Sequence, residues 1–115
     1  MSVGDHGHVW NSDLYPCTPI APDVCLTPYN VADPDGPPGD DGYWFCHDVP
    51  GSDHRCHGRV AIRREDGGPT WTQTGTLEGG DLTLSPSVLC ARARYGDLEH
   101  PEFHGWVRDG KWVTA

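Results

Sequence analysis

The fold is decided by the stretch GYWFCHDVPGSDHRCHGRVAIRRE, residues 42–65. Its first eight residues alternate along an aromatic-rich run, and RVAIRRE at 59–65 repeats the strand pattern after a polar loop. Alternation with a period of two is typical of a β-strand, and two such runs joined by a loop predict an antiparallel β-pair. We therefore expect a mostly β protein built around a small antiparallel β domain.

The C-terminal half predicts further strands. Thr, Leu and Val alternate in TWTQTGTL (70–77) and in DLTLSPSVLC (81–90). Pro86 would interrupt the second of these runs, because proline donates no hydrogen bond to a sheet. In FHGWVRDGKWVTA (103–115), the dipeptide Asp109-Gly110 lies between two runs that carry Val and Trp, which predicts a type I′ hairpin.

The N-terminal third has a different composition. It contains seven of the eleven Pro residues and shows no helical or strand periodicity over a useful length. We interpret residues 1–41 as an extended, acidic, Pro/Gly-rich arm and residues 42–115 as the folded domain. Such a segment gains order on contact with a partner, so we expect a protein partner to bind through the arm, with Trp10, Tyr15 and Tyr29 as anchors.

The charge distribution limits the possible partners. The chain of 115 residues has a formal net charge of -9, and residues 1–55 hold nine Asp against one basic residue, Arg55. DNA and RNA binders gain affinity from Lys and Arg contacts with phosphate, so nucleic acid is a disfavoured partner. No apolar run approaches the length of a membrane span, and no secretion signal is evident at the N-terminus.

The cysteine and histidine content predicts a metal site. Five Cys and seven His occur in a chain whose core is small, and an odd number of cysteines argues against a complete disulfide framework. Zinc takes four Cys or His ligands, usually as two close pairs. One pair flanks the loop between the first two strands, and HPEFH supplies the other, so we predict a structural zinc ion bound by Cys46, Cys56, His100 and His104.

Several other residues remain alternative zinc ligands. His47 and His57 each follow a cysteine directly, and neighbours on a strand point to opposite faces, so at most one of each pair faces the metal. Cys90 is either a buried small hydrophobe or a ligand. For Cys17 and Cys25, a second site, a disulfide and two inert thiols are equally compatible with the sequence.

Residues 42–115 resemble an uncharacterised family of small phage and bacterial proteins that is common among phages of actinobacteria. The resemblance rests on YWFC at 43–46, Cys-His-Gly at 56–58, LTLSPSVLC at 82–90 and HGWVRDGKWV at 104–113. Members look like zinc-binding proteins in which an early Cys pair meets a late Cys/His pair. The resemblance implies Cys46, Cys56 and His104 as ligands, with His100 in the place of the late cysteine, and a setting in the phage virion or the host cytoplasm.

Three functions compete at this level. The leading hypothesis is a non-enzymatic phage protein, a zinc-stabilised structural or protein-interaction module. The enzyme alternative is a zinc hydrolase with an open metal position, in which Glu102 lies between His100 and His104 as the base. However, HPEFH lacks the spacing and helical context of a metalloprotease motif. The third hypothesis is a zinc-ribbon-like nucleic-acid-binding module, for which arginines of the C-terminal half would form a local patch.

Overall fold

The computed structural model describes residues 3–10, 17–29, 39, 41–49, 54–95 and 98–115, with the backbone alone at 4–10, 54, 93–95, 98 and 100. The strands within these ranges are β1 (Gly4–Trp10), β2 (Thr18–Ala21), β3 (Val24–Pro28), β4 (Asp41–Asp48), β5 (His54–Arg63), β6 (Thr72–Thr74), β7 (Thr83–Ser85), β8 (Val88–Cys90), β9 (Ala93–Tyr95), β10 (Leu98–His100), β11 (Phe103–Arg108) and β12 (Lys111–Thr114).

The strands form antiparallel sheets, which confirms the predicted mostly β fold. The largest sheet has five strands in the order β1-β5-β4-β3-β2, and a second has three in the order β12-β11-β8. Two further pairs join β6 to β7 and β9 to β10. The described residues form no helix that is both long and apolar enough to cross a membrane.

The pairing of β4 with β5 confirms the strand pair predicted from residues 42–65. Phe45 lies opposite Gly58, and His47 lies opposite Cys56. Because successive side chains of a strand point to opposite faces, Phe45 and His47 share one face of the sheet while Cys46 lies on the other. All three of these β4 side chains are buried.

Aromatic side chains pack between the two larger sheets. The ring of Phe45 lies 6.2 Å from that of Phe103 and 5.2 Å from that of Trp112, measured between centroids. Phe103 and Trp112 also stack on each other, with a centroid distance of 5.2 Å. Offset ring contacts of this kind add to the large apolar area that each ring buries, so this group holds β4 against β11 and β12.

The two predicted turn features are confirmed. Asp109 and Gly110 have φ angles of 49° and 75°, as a type I′ turn requires at both central residues, and they join β11 to β12. β7 ends at Ser85 and β8 begins at Val88, so Pro86 lies between two short strands instead of inside one long strand. The peptide bond from Ser85 to Pro86 is cis.

The N-terminal region differs from the predicted arm. β1, β2 and β3 all lie within residues 1–41, and they belong to the same five-stranded sheet as β4 and β5. The segment from Val24 to Thr27 is buried because it pairs directly with β4. The prolines at both ends of this short strand interrupt the residue pattern by which a strand is predicted from sequence. Residues 1–2, 11–16, 30–38 and 40 of the predicted arm, with its proposed anchor Tyr15, lie outside the described residues, and so does the side chain of Trp10.

Gly105 provides a test of the packing between β11 and β12. It is buried, and a Cβ atom there would lie 2.6 Å from Cζ2 of Trp112 and would also contact the carbonyl oxygen of Val113. We expect Gly105→Ala to lower the free energy of unfolding by about 1–3 kcal/mol, because the ring and the strand must move apart. Chemical denaturation measures the change.

The matched control is Val113→Ala, since Val113 is an exposed neighbour on β12. This substitution should change the free energy of unfolding by less than about 0.5 kcal/mol. Equal denaturation midpoints for Gly105→Ala and the unmodified protein would contradict the packing described above.

Candidate active site and metal cluster

Ser87 and His104 form a direct side-chain contact. Nε2 of His104 lies 2.8 Å from Oγ of Ser87. Ser87 immediately precedes β8, and His104 is the second residue of β11, where it lies opposite Leu89 of β8. Both side chains are half-buried, so solvent reaches the pair.

The main chain of Ser87 is held by Trp71. The indole Nε1 of Trp71 donates a hydrogen bond of 3.2 Å to the carbonyl oxygen of Ser87. The backbone N–H of Trp71 donates in turn to the carbonyl oxygen of Ala61 in β5, at 2.8 Å. Because Trp71 is buried, this link fixes the position of Ser87 relative to the large sheet.

His104 is held by its strand and by the C-terminus. Its backbone carbonyl accepts a hydrogen bond of 2.9 Å from the N–H of Ala115. Its ring lies 5.8 Å from the ring of Trp106, and the guanidinium of Arg108 covers that indole at 4.9 Å. When Nδ1 carries the proton, Nε2 accepts the hydroxyl hydrogen of Ser87, which is how a histidine activates a serine nucleophile.

A separate buried group consists of His47, Cys56 and Cys90. One ring nitrogen and the two Sγ atoms all lie within 4.8 Å of one another. His47 and Cys56 are opposite each other on β4 and β5, whereas Cys90 ends β8, so the group joins the two larger sheets. This group is positioned to hold a metal ion.

The contacts of His47 favour metal binding through Nε2. Its Nδ1 lies 3.0 Å from the carbonyl oxygen of Asp48, which accepts a hydrogen bond from the protonated Nδ1. The ring stacks on Phe103 with a centroid distance of 4.1 Å and an interplanar angle of 5°. A hydrogen bond from one ring nitrogen fixes the tautomer, and the lone pair of the other is then available to a metal.

The two thiols of this group share a hydrogen bond, with their Sγ atoms 3.3 Å apart. That hydrogen bond and burial both raise the pKa of Cys90 above its usual range. In the absence of a metal ion the thiol of Cys90 therefore keeps its proton. A bound divalent cation would displace the thiol protons and compensate the charge of two buried thiolates.

The remaining cysteines lie on the other face of β4. Cys17 and Cys25 form a disulfide, which decides among the three alternatives that the sequence left open. Their sulfur atoms and that of Cys46 all lie within 4.8 Å of one another. Burial raises the pKa of the Cys46 thiol to about 11.

The structure thus places the predicted zinc ligands Cys46, Cys56 and His104 at three separate positions. Of the three whose side chains the structure describes, Cys56 alone lies in the buried group, where His47 and Cys90 accompany it. Cys46 faces away because it follows Phe45 on an alternating strand. His104 contacts Ser87. The side chain of His100 lies outside the described residues.

Ser87 was missed by the sequence analysis. The run LTLSPSVLC served there as a landmark, and a pairing of its second serine with a histidine about seventeen residues later was not considered. The signal available was the serine directly after Pro86 and directly before a strand. Glu102, the base of the zinc-hydrolase alternative, is an exposed residue.

The family model that describes the bacterial ubiquitination-like system serine protease (BubE) matches residues 34–115, well over half of the chain. The chain belongs to the BubE family. Comparison with curated proteins and with solved structures gave no match. The matched range includes both Ser87 and His104. A serine protease requires a serine nucleophile and a base, which is most often a histidine.

The expected non-enzymatic phage module is therefore wrong. The BubE match names a serine protease of a bacterial system, and neither a phage nor a virion protein. The physical reason for the error concerns His104. Its spacing from His100 in HPEFH matches that of a zinc-binding histidine pair. In the folded protein this imidazole contacts the hydroxyl of Ser87 instead.

Trp71 offers a test of how Ser87 is positioned. Trp71→Phe removes the indole N–H that donates to the Ser87 carbonyl and retains an aromatic ring in the core. We expect the rate at which a fluorophosphonate labels Ser87 to fall about threefold to tenfold, consistent with the loss of one hydrogen bond. The circular dichroism spectrum should be retained. An unchanged labelling rate would contradict the positioning role.

Proposed function

We propose that this chain is a serine protease that acts within a bacterial ubiquitination-like system, with Ser87 as the nucleophile and His104 as the general base. The observation that carries the proposal is the distance of 2.8 Å between Ser87 Oγ and His104 Nε2, at a place that solvent reaches. The BubE match over residues 34–115 supports the reaction class and the biological system.

The contact allows the following sequence of steps. Nε2 of His104 takes the hydroxyl proton while Oγ of Ser87 attacks the carbonyl carbon of the substrate peptide bond. The protonated imidazole then gives this proton to the leaving amine, and an acyl-enzyme remains on Ser87. A water molecule, deprotonated by the same imidazole, hydrolyses the ester and restores the serine hydroxyl.

The positions of the two residues favour this role. Ser87 adjoins the short strand β8, whose backbone is held by β11 on one side, while Trp71 anchors the Ser87 carbonyl. His104 lies on β11 itself, which is hydrogen-bonded to the strand that directly follows Ser87. Sites on rigid strands hold reacting groups in a fixed geometry without a conformational change during catalysis.

Substitution of Ser87 tests the proposal. We expect Ser87→Ala to abolish fluorophosphonate labelling and to lower proteolytic turnover by about 10³-fold or more, because the covalent intermediate cannot form. His104→Ala should reduce both to a similar extent. The measurements are intact-protein mass spectrometry of the labelled protein and cleavage of a peptide library.

Ser85→Ala is the matched control, since Ser85 is an exposed serine two residues away on the same segment. It should be labelled at the rate of the unmodified protein. Labelling of Ser87→Ala at that same rate, or no labelling of the unmodified protein under any condition tested, would overturn the assignment of the nucleophile.

We further propose that the ion of the buried group is zinc and that its role is structural. The donor set of His47, Cys56 and Cys90 is typical of zinc, which prefers thiolate and imidazole ligands. All three residues are buried, which separates the ion from the solvent that a catalytic site needs. His100 remains the predicted fourth ligand, and its backbone lies opposite Ala93, three residues after Cys90.

Metal analysis tests the zinc proposal. The disulfide-bonded protein should contain one equivalent of zinc, and Cys90→Ser should lose it. Removal of the ion with a chelator should lower the unfolding temperature by roughly 10 °C or more, because the binding energy of a structural ion contributes directly to folding. Elemental analysis and thermal unfolding measure the two effects.

His57→Ala is the control for this experiment. His57 is the neighbour of Cys56 on β5 but faces away from the group and toward the ring of Trp44. The zinc content of the His57→Ala variant should stay at one equivalent. A purified protein that folds cooperatively without metal would contradict the structural role.

A further inference from the structure

The thiol-bearing face of β4 holds a second cluster of sulfur atoms. Cys46 lies directly opposite Cys25 on β3, and Cys17 approaches from the residue before β2. The three Sγ atoms all lie within 4.8 Å of one another, although two of them form a disulfide. Cys25 and Cys46 are buried, and Cys17 is half-buried.

Arg55 gives this cluster an unusual electrostatic environment. Its Nη1 donates a hydrogen bond of 3.3 Å to Sγ of Cys25. Its Nε is bound to Oδ1 of Asp48 at 2.6 Å, which fixes the direction of the guanidinium. A disulfide sulfur is a weak acceptor, whereas a thiolate accepts strongly from a cation. The placement of Arg55 thus fits a state in which Cys25 carries negative charge.

We propose that Cys17, Cys25 and Cys46 form a second, redox-controlled site for a soft metal ion such as zinc. With the disulfide formed, the cluster holds no ion. After reduction of the disulfide, the three thiolates bind the ion and Arg55 compensates the excess negative charge of the complex.

The chemistry balances in two steps. Two molecules of a thiol reductant give two electrons and two protons to the Cys17–Cys25 bond, which breaks into two thiols, while the reductant molecules join as their own disulfide. A divalent cation then binds the three sulfur atoms and three protons are released to solvent. Three thiolates around a divalent ion leave a net charge of minus one, next to the guanidinium of Arg55.

The site is separate from the protease pair and from the other metal group. Cys17 and Cys25 precede residue 34, where the BubE match begins. Cys46 points away from His47 and its partners, since neighbouring residues on a strand face opposite sides. The proposed site would therefore join the N-terminal strands β2 and β3 to β4 in a reducing compartment, where a disulfide does not persist.

Zinc titration under two redox conditions tests the proposal. The full chain is titrated with zinc chloride against a chromophoric chelator, once with the disulfide intact and once after reduction by a phosphine. We expect the number of tightly bound zinc ions to rise from one to two on reduction. Cys46→Ser keeps the disulfide pair but should remain at one equivalent under both conditions.

Two further variants separate this proposal from the first zinc site. Cys17→Ser should bind one equivalent when reduced, and its half-buried position limits the effect on folding. Cys90→Ser should lose the first equivalent and keep the one that appears on reduction. A second equivalent that persists in reduced Cys46→Ser and Cys17→Ser, or equal zinc content of the unmodified protein in both redox states, would overturn the proposal.

Discussion

The pairing of β4 with β5 is the interaction on which the other features depend. It sets His47 opposite Cys56 on one face of the large sheet. Cys46 then lies on the other face, where the pairing of β3 with β4 sets it opposite Cys25. A shift of one residue in this register would exchange the two faces, because strand side chains alternate. The same pairing brings Phe45 to the rings of the smaller sheet and so positions the strands that carry Ser87 and His104.

The Ser87–His104 pair and the buried metal group share their supporting strands. β8 follows Ser87 directly and ends with Cys90, while β11 carries both Phe103, which stacks on His47, and His104. An ion bound by the buried group would therefore stiffen the strands that hold the reacting side chains. In a domain of 115 residues with a modest core, such an ion would compensate for limited apolar burial.

The error in the functional prediction has a specific origin. Sequence spacing pairs His104 with His100, whereas the pairing of β11 with β8 brings it to Ser87, the residue before β8. No fixed sequence spacing connects a serine nucleophile with its base, because the fold brings the two residues together. The separation of Cys46 from Cys56 has a related cause: His47 and Cys46 are adjacent in sequence, and the alternation of side chains along β4 decides which one faces Cys56 and Cys90.

The sequence by itself determined the β4–β5 pair, the break at Pro86 and the hairpin at Asp109-Gly110, because these are local patterns that act over a few residues. It also determined that cysteine and histidine would gather at a metal-binding group. The tertiary structure alone decided which side chains meet, namely Ser87 with His104 and Cys90 with His47. These partners belong to different strands, so their contact depends on register and sheet packing, which short-range patterns do not encode.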